Sequence, residues 1–383
     1  LTPQERVLTA LKHREPDRVP FDLGSTVVTG ITRKAYLNLL NFLGIKKDDI
    51  GILDIVQQLA DVDEEVLRQF KVDIRGIFTK PPSDWQLEIK EKEDYYLFQD
   101  QWGIVWRMPR LEGLYFDMYQ HPLSDITNFR ELERVKFPNP SDPARVGGLR
   151  EQARQFCQKE QTAVIVGGSM GGGFFEMAFW LRGWENFYTD LVLNPTLVCA
   201  LMDKLVEIKM KFWDLVLAEL RDYVHMVMET EDLGDQKGPM ISPEMFRKFV
   251  KPRMKELYSY IKKKAPVYIF FHSCGAIYDF IPDLIEVGVD ILNPVQVSAV
   301  GMNTRRLKKD FGNTISFWGG GVDTQRILPL GTPQQVKDEV KRRIDDLAPG
   351  GGFIFNTVHN IQADVPPQNI IAMWEALQEY GGY

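Results

Sequence analysis

Val267-Tyr-Ile-Phe-Phe-His-Ser-Cys-Gly275 is an unbroken apolar run that closes on His272 and Cys274. A short apolar run bounded by turn residues reads as a buried strand. Side chains two apart on a strand point the same way. An imidazole and a thiol therefore emerge together at the strand's C-terminal end, a two-pronged grip for a metal such as zinc. A third ligand stands far downstream, where Gly352-Phe-Ile-Phe-Asn-Thr-Val-His359 is another apolar run ending in histidine. The chain holds only five histidines and three cysteines, so composition alone does not account for two histidines and a cysteine at strand ends. A lone strand histidine is more often a hydrogen-bonded core residue; the cysteine at i+2 and the second strand-end histidine shift the weight to a metal site.

Working outward, short apolar runs alternate with long amphipathic stretches, the pattern of a parallel α/β protein. Eight runs are candidate strands: residues 18–24, 74–80, 163–168, 223–229, 267–273, 289–294, 314–320 and 352–358. Helical patterns separate most of them, including residues 31–70 and 333–344. Eight strands with intervening helices predict a single (β/α)8 TIM barrel spanning residues 1–383, with helices preceding it. Residues 86–121 break the rhythm. They alternate apolar and polar residues and predict a small antiparallel β-meander inserted between the second and third barrel strands.

The bulk numbers fit this reading. Of 383 residues, 44% are hydrophobic and 26% charged, as in ordinary globular proteins. A net charge of −7 argues against a nucleic-acid partner. No apolar run approaches the roughly 18 residues of a membrane span. Cys157, Cys199 and Cys274 are too few for a disulfide framework and indicate a reducing, cytoplasmic setting. Cys157 and Cys199 sit in helical patterns and read as packing residues. Thr2 and Pro3 carry helix-cap chemistry. A chain opening on Leu1 rather than methionine points to a trimmed or incomplete N-terminus.

Barrel enzymes place their chemistry at the C-terminal ends of the strands. The polar residues there are Asp22, the run Gly167-Gly-Ser-Met-Gly-Gly-Gly173, Glu229 to Asp232, His272, Cys274, Asn293, Gln296, Asp323 and His359. Glu229, Glu231, Asp232 and Asp323 are candidate catalytic groups: a carboxylate there can complete a metal site, orient a ligating histidine or hold a proton. An acidic helix-capping loop is the equal rival reading. Asp22, Met170, Phe174, Asn293 and Gln296 are candidate substrate contacts. The glycine run lacks the Walker lysine and the dinucleotide spacing, and predicts a loop that lets a flat substrate approach the backbone.

With these residues in view, the chain resembles the uroporphyrinogen decarboxylase superfamily over nearly its whole length. The resemblance rests on Thr2-Pro-Gln-Glu-Arg-Val-Leu with Pro16-Asp-Arg-Val-Pro20, Gly238-Pro-Met-Ile-Ser-Pro243, Phe271-His-Ser-Cys-Gly275, Gly319-Gly-Gly-Val-Asp323 and His359-Asn-Ile-Gln-Ala-Asp-Val-Pro-Pro-Gln-Asn369. That superfamily implies two chemistries on one barrel: cofactor-free decarboxylation of porphyrinogen acetates, and zinc-dependent methyl transfer involving a corrinoid protein. The decarboxylases carry an Arg-Gln-Ala-Gly-Arg-Tyr motif for substrate carboxylates. The matching stretch here, Phe21 to Ile31, has no arginine, and a substrate with many carboxylates needs cationic partners. The His-x-Cys at 272 and 274 is similar to the zinc motif of the corrinoid methyltransferases. Where those that methylate coenzyme M have a cysteine as third ligand, this chain has His359.

A neutral imidazole in place of a thiolate leaves zinc more electrophilic, which suits polarising an oxygen leaving group. The resemblance therefore implies an O-demethylase-type methyltransferase. It would use zinc held by His272, Cys274 and His359, and move a methyl group from a methoxylated aromatic to the cobalt(I) of a separate corrinoid protein. Two alternatives stay open: methyl transfer from methylcobamide to a thiol or tetrahydrofolate, and a decarboxylase. The expected partners are the corrinoid protein and a small-molecule methyl donor, with no nucleic acid and no membrane; a homodimer is left open.

Overall fold

The computed structural model describes residues 1–47 and 49–383. Seven parallel strands form its centre: β1 (Ile74–Ile77), β2 (Ala163–Val166), β3 (Met226–Thr230), β4 (Tyr268–His272), β5 (Ile291–Asn293), β6 (Ser316–Trp318) and β7 (Phe353–Ile354). They are hydrogen-bonded in strict chain order, from β1 to β7. The predicted first strand fills the gap between the two edges. Asp22 N donates to Phe355 O (3.0 Å), Phe355 N to Pro20 O (2.8 Å), and Asp73 N to Phe21 O (2.9 Å). The result is a (β/α)8 TIM barrel whose eighth position is an extended segment joined by single bridges rather than a ladder. The reason is local: Pro20 has no N–H to donate.

Strand parity sorts the core. Ile74, Ile165, Met226, Met228, Phe270, Ile291, Trp318 and Ile354 form one inner cluster, closed by Val7 and Leu11 of the first helix, Pro3–Leu11. The alternate residues Val164, Val166, Val227, Ile269, Phe271, Leu292, Phe317 and Phe353 pack outward against the helices. Filled inner layers of this kind are the packed core of a barrel, not a pore.

Helix Pro3–Leu11 starts on a capping box in which Thr2 accepts from Glu5 N and Glu5 returns the bond to Thr2 N. Residues 31–70, expected as helices, contain Arg33–Phe42 and Glu64–Gln69 but also a hairpin of Ile52–Asp54 and Leu59–Ala60. Asp54 accepts from Gln57 N (2.7 Å), an Asx-type turn that competes with helix there. The insertion is a four-stranded antiparallel meander, Lys90–Lys92, Tyr95–Gln99, Val105–Pro109 and Asp117–Gln120. Phe98 and Trp106 face the protein, and Trp106 meets Trp180 edge to face at 5.8 Å. On the other face the Arg107 guanidinium lies 4.6 Å from the Tyr95 ring and 4.3 Å from Tyr119.

Candidate metal centre

The inward series of β4 runs Tyr268, Phe270, His272, so parity alone aims the imidazole at the barrel axis. Beside it, in register, stands Asn293 of β5. His272 Nδ1 lies 2.6 Å from Asn293 Oδ1. Asn293 Nδ2 donates to Trp318 O (2.8 Å), so its oxygen is the atom left for the histidine. His272 therefore carries its proton on Nδ1 and keeps the Nε2 lone pair free, the tautomer a metal ligand needs.

Cys274 Sγ is 3.5 Å from that Nε2. The thiol is fixed by the turn after it. Gly275 has φ +88°, and a Cβ there would lie 2.3 Å from the Gly234 carbonyl carbon. Only glycine fits both demands. Gly275 N donates to Gln296 Oε1 (2.7 Å), which anchors the turn to the neighbouring segment.

His359 follows β7, and its ring centroid is 5.3 Å from that of His272. One donor atom from each of His272, Cys274 and His359 lies within 4.8 Å of the others. The two histidines are not prepared equally. Asn360 N donates to His359 Nδ1 at 2.8 Å, which puts the His359 proton on Nε2. His272 is set to ligate as it stands. His359 must release the Asn360 amide before Nε2 can do the same.

The electrostatics test whether a cation fits. Burial drives His272 down to about 3, helped by His359, and His359 down to about 4, so both imidazoles are neutral. Burial, then the charges of Asp232 and Glu176, push the Cys274 thiol upward. Burial lifts Asp232 to about 6. Burial, Asp232 and Glu231 raise Glu176 well above the carboxylate range. Two neutral imidazoles, a thiol and a crowd of destabilised carboxyls are what a divalent cation would relieve, since it supplies the missing positive charge and deprotonates a coordinating thiol. The donor set fits zinc.

The remaining expected residues divide. Asp232 continues the inward parity of β3. Its neighbours tie it to the His272–Cys274 segment: Glu231 N donates to His272 O (2.9 Å) and Leu233 N to Ser273 Oγ (3.2 Å). Glu229 and Glu231 have the opposite parity and face the helices. Glu229 accepts from Trp213 Nε1 (2.6 Å) and Lys209 Nζ (3.0 Å). Glu231 accepts from Phe175 N (3.2 Å) and Glu176 N (2.8 Å), capping helix Phe174–Arg182. Both oxygens of each are engaged in structure. Asp323 Oδ1 closes a turn on Gln325 N (2.8 Å). Asp22 is fully buried on Trp318 Nε1 (3.1 Å), and burial lifts it to about 6. Met170 lies on the glycine-rich loop at φ +58°, and Phe174 is buried at the start of the helix after it.

Glu176 was not singled out by the sequence reading. Its carboxylate accepts from Gly173 N (3.1 Å) and Thr230 Oγ1 (3.3 Å), beside Asp232. The signal was present as an acid three residues after Gly173 at a helix start, hidden among aromatic residues.

The uroporphyrinogen decarboxylase (URO-D) family model matches residues 113–380, and the chain belongs to that family. A protein named uroporphyrinogen decarboxylase from Geobacter sulfurreducens is 23% identical over 269 residues, 68% of this chain and 72% of its own. One of the same name from Alkalilimnicola ehrlichii is 21% identical over 388 residues, 98% of this chain and 93% of its own. Among solved structures, a methyltransferase from Methanosarcina mazei matches with TM-score 0.65 at 16% identity, covering 99% of both chains. At that identity the likeness establishes the shared barrel. No helix among the described residues is long and apolar enough to cross a membrane.

Proposed function

We propose that the chain is a zinc-dependent methyltransferase that moves a methyl group from a methoxylated aromatic to the cobalt(I) of a corrinoid protein. The observation that carries the reading is the convergence of His272, Cys274 and His359 at the barrel mouth. The Methanosarcina methyltransferase, built on the same barrel, is consistent with it. Zinc bound by these three side chains would supply Lewis acidity toward the ether oxygen.

The other work falls to the chain's own residues. Asn293 holds the His272 ring in its ligating tautomer. Burial keeps both imidazoles neutral at physiological pH. Met170 and Phe174, buried on and just after the glycine-rich loop, are the apolar side chains proposed to meet a flat ring. Asp232 makes no side-chain hydrogen bond among the described residues and is free to accept one from the substrate or hold its proton. In the transfer, the carbon–oxygen bond breaks with its electron pair left on oxygen, and cobalt(I) supplies the pair for the new carbon–cobalt bond. The corrinoid protein must therefore present its cobalt at the open end of the barrel. A cytoplasmic location belongs to the same reading.

One observation favours a second reading. With the Asn360 amide on Nδ1, His359 offers an Nε2–H donor, the role of a substrate-binding rather than a ligating histidine. The decarboxylase relatives are compatible with that role. The missing arginines in residues 21–31 weigh against it.

The test is to mix the protein with a cobalt(I) corrinoid protein and a panel of methoxyaromatics, and follow methylcobalt formation by its visible spectrum. About one zinc per chain is expected. Full activity in metal-free protein, or enzymatic turnover of uroporphyrinogen, defeats the reading. His359→Ala should lose zinc, while His359→Cys should keep it and slow demethylation. Stoichiometric zinc in His359→Ala assigns the histidine to substrate instead.

A further inference from the structure

The glycine-rich loop at the mouth, residues 167–173, contains five glycines and is costly to hold in one conformation. It is nevertheless tightly placed. Met170 sits at φ +58°, a strained value for a residue with a side chain. A Cβ on Gly173 would lie 1.7 Å from Thr230 O, so the loop's end is pressed against β3. A buried cationic side chain also holds it. Lys209, on helix Pro195–Leu220 and only 3% exposed, donates from Nζ to Ser169 O at 2.9 Å and to Glu229 Oε2 at 3.0 Å. Trp213, one turn further along the same helix face, fixes the other Glu229 oxygen at 2.6 Å.

A buried ion pair is a poor source of stability, because desolvation offsets its attraction and an apolar pair of like volume does as well. What an apolar pair cannot supply is the bond to the Ser169 carbonyl. We infer that Lys209 is a positioning residue. Anchored by Glu229 and Trp213, it fixes the mouth loop through Ser169. It thereby fixes Met170 and the helix start that carries Glu176. Glu229 thus acts two residues removed from the mouth. The inference rests on the proposed function only where activity is read.

The obvious variant, Lys209→Met, strands the Glu229 charge and is destabilised for that reason alone. The informative variant is Lys209→Met with Glu229→Gln, which removes the charge pair together and leaves an acceptor for Trp213. Hydrogen–deuterium exchange is measured on this variant and on the native protein, with melting temperature and zinc content alongside. The expected result is exchange about tenfold faster at the two amides that bracket the loop, Gly167 N and Gly173 N, which donate to Ile77 O and Glu176 Oε2. Melting should stay within about 3 °C of native and zinc should be retained. In the methyltransfer assay KM should rise more than kcat falls. Native-like exchange in the loop overturns the inference. So does faster exchange spread over the whole barrel with a collapsed melting temperature, because that assigns Lys209 to global stability. The exchange measurement needs no substrate, so it stands even where the methyltransfer assay fails.

Discussion

The ends of β3 and β4 lie side by side in parallel register, with Thr230 opposite His272, yet their polar residues do different work. On β4 the chemistry-bearing groups sit at alternate positions, 272 and 274, and both reach the barrel mouth. On β3 the acids are at 229, 231 and 232. The first two point at the helices and the third at the mouth. One feature separates the two ends: whether a residue shares the inward parity of its strand. A carboxylate of the wrong parity becomes a helix cap or an ion-pair partner. A carboxylate of the right parity makes no side-chain hydrogen bond among the described residues and stands near the thiol.

The sharpest break of this comparison removes the proposed β4 ligands. His272→Ala or Cys274→Ala should abolish bound zinc and methyl transfer while circular dichroism stays native. Retained zinc in either variant would show that the β4 end is not the centre of the site.

On the β3 side the effect should be on folding instead. Glu229→Ala leaves the buried Lys209 charge unpaired, and loss of one partner of such a pair costs roughly 3–5 kcal/mol. Denaturant melts should show that loss with zinc still bound in the folded fraction. Zinc lost with unchanged stability would place Glu229 at the metal instead.

Asn293→Ala sharpens the β4 end. It frees the His272 ring from its tautomer-setting bond, and loss of such a partner lowers metal affinity by roughly 10–100-fold. Competition with a chelator measures this, and unchanged affinity would mean that the ring is held by packing alone.

The smallest effect concerns pH. Burial lifts Glu231 to about 8, against the opposing pull of its two helix amides. Its folded value is thus above the unfolded one. The native state binds the extra proton, so its contribution is full below about 4.5 and is lost as pH rises through about 8. Above about pH 7.5 histidines are largely neutral in both states, and stability should decline as pH rises towards about 8.5. Glu231→Gln should flatten that decline, and an equal slope in both proteins would remove Glu231 from the account.

Much of this was legible before folding. Because a buried strand must be apolar, the apolar runs before His272 and His359 announced both strands, though the second ends at Ile354, five residues short of His359. The meander was legible from its alternation. The opposite duties of Glu229 and Asp232 were in principle readable from the same period of two that paired His272 with Cys274. They were missed because the acids were read as one cluster. The hairpin inside residues 31–70 escaped because a side-chain turn at Asp54 outweighs a helical pattern on either side of it.

The sequence by itself determined the barrel, its inserted meander and which strand ends carry imidazole and thiol, since those follow from local periodicity. Only the tertiary structure decided which nitrogen of each histidine is free, that Glu176 joins Asp232, and that Lys209 reaches the mouth loop. Apart from the Asn360 amide on His359, these depend on partners 20 to 60 residues away, such as Asn293 for His272 and Glu229 for Lys209. No local pattern encodes such a distance; it exists only once the barrel has closed.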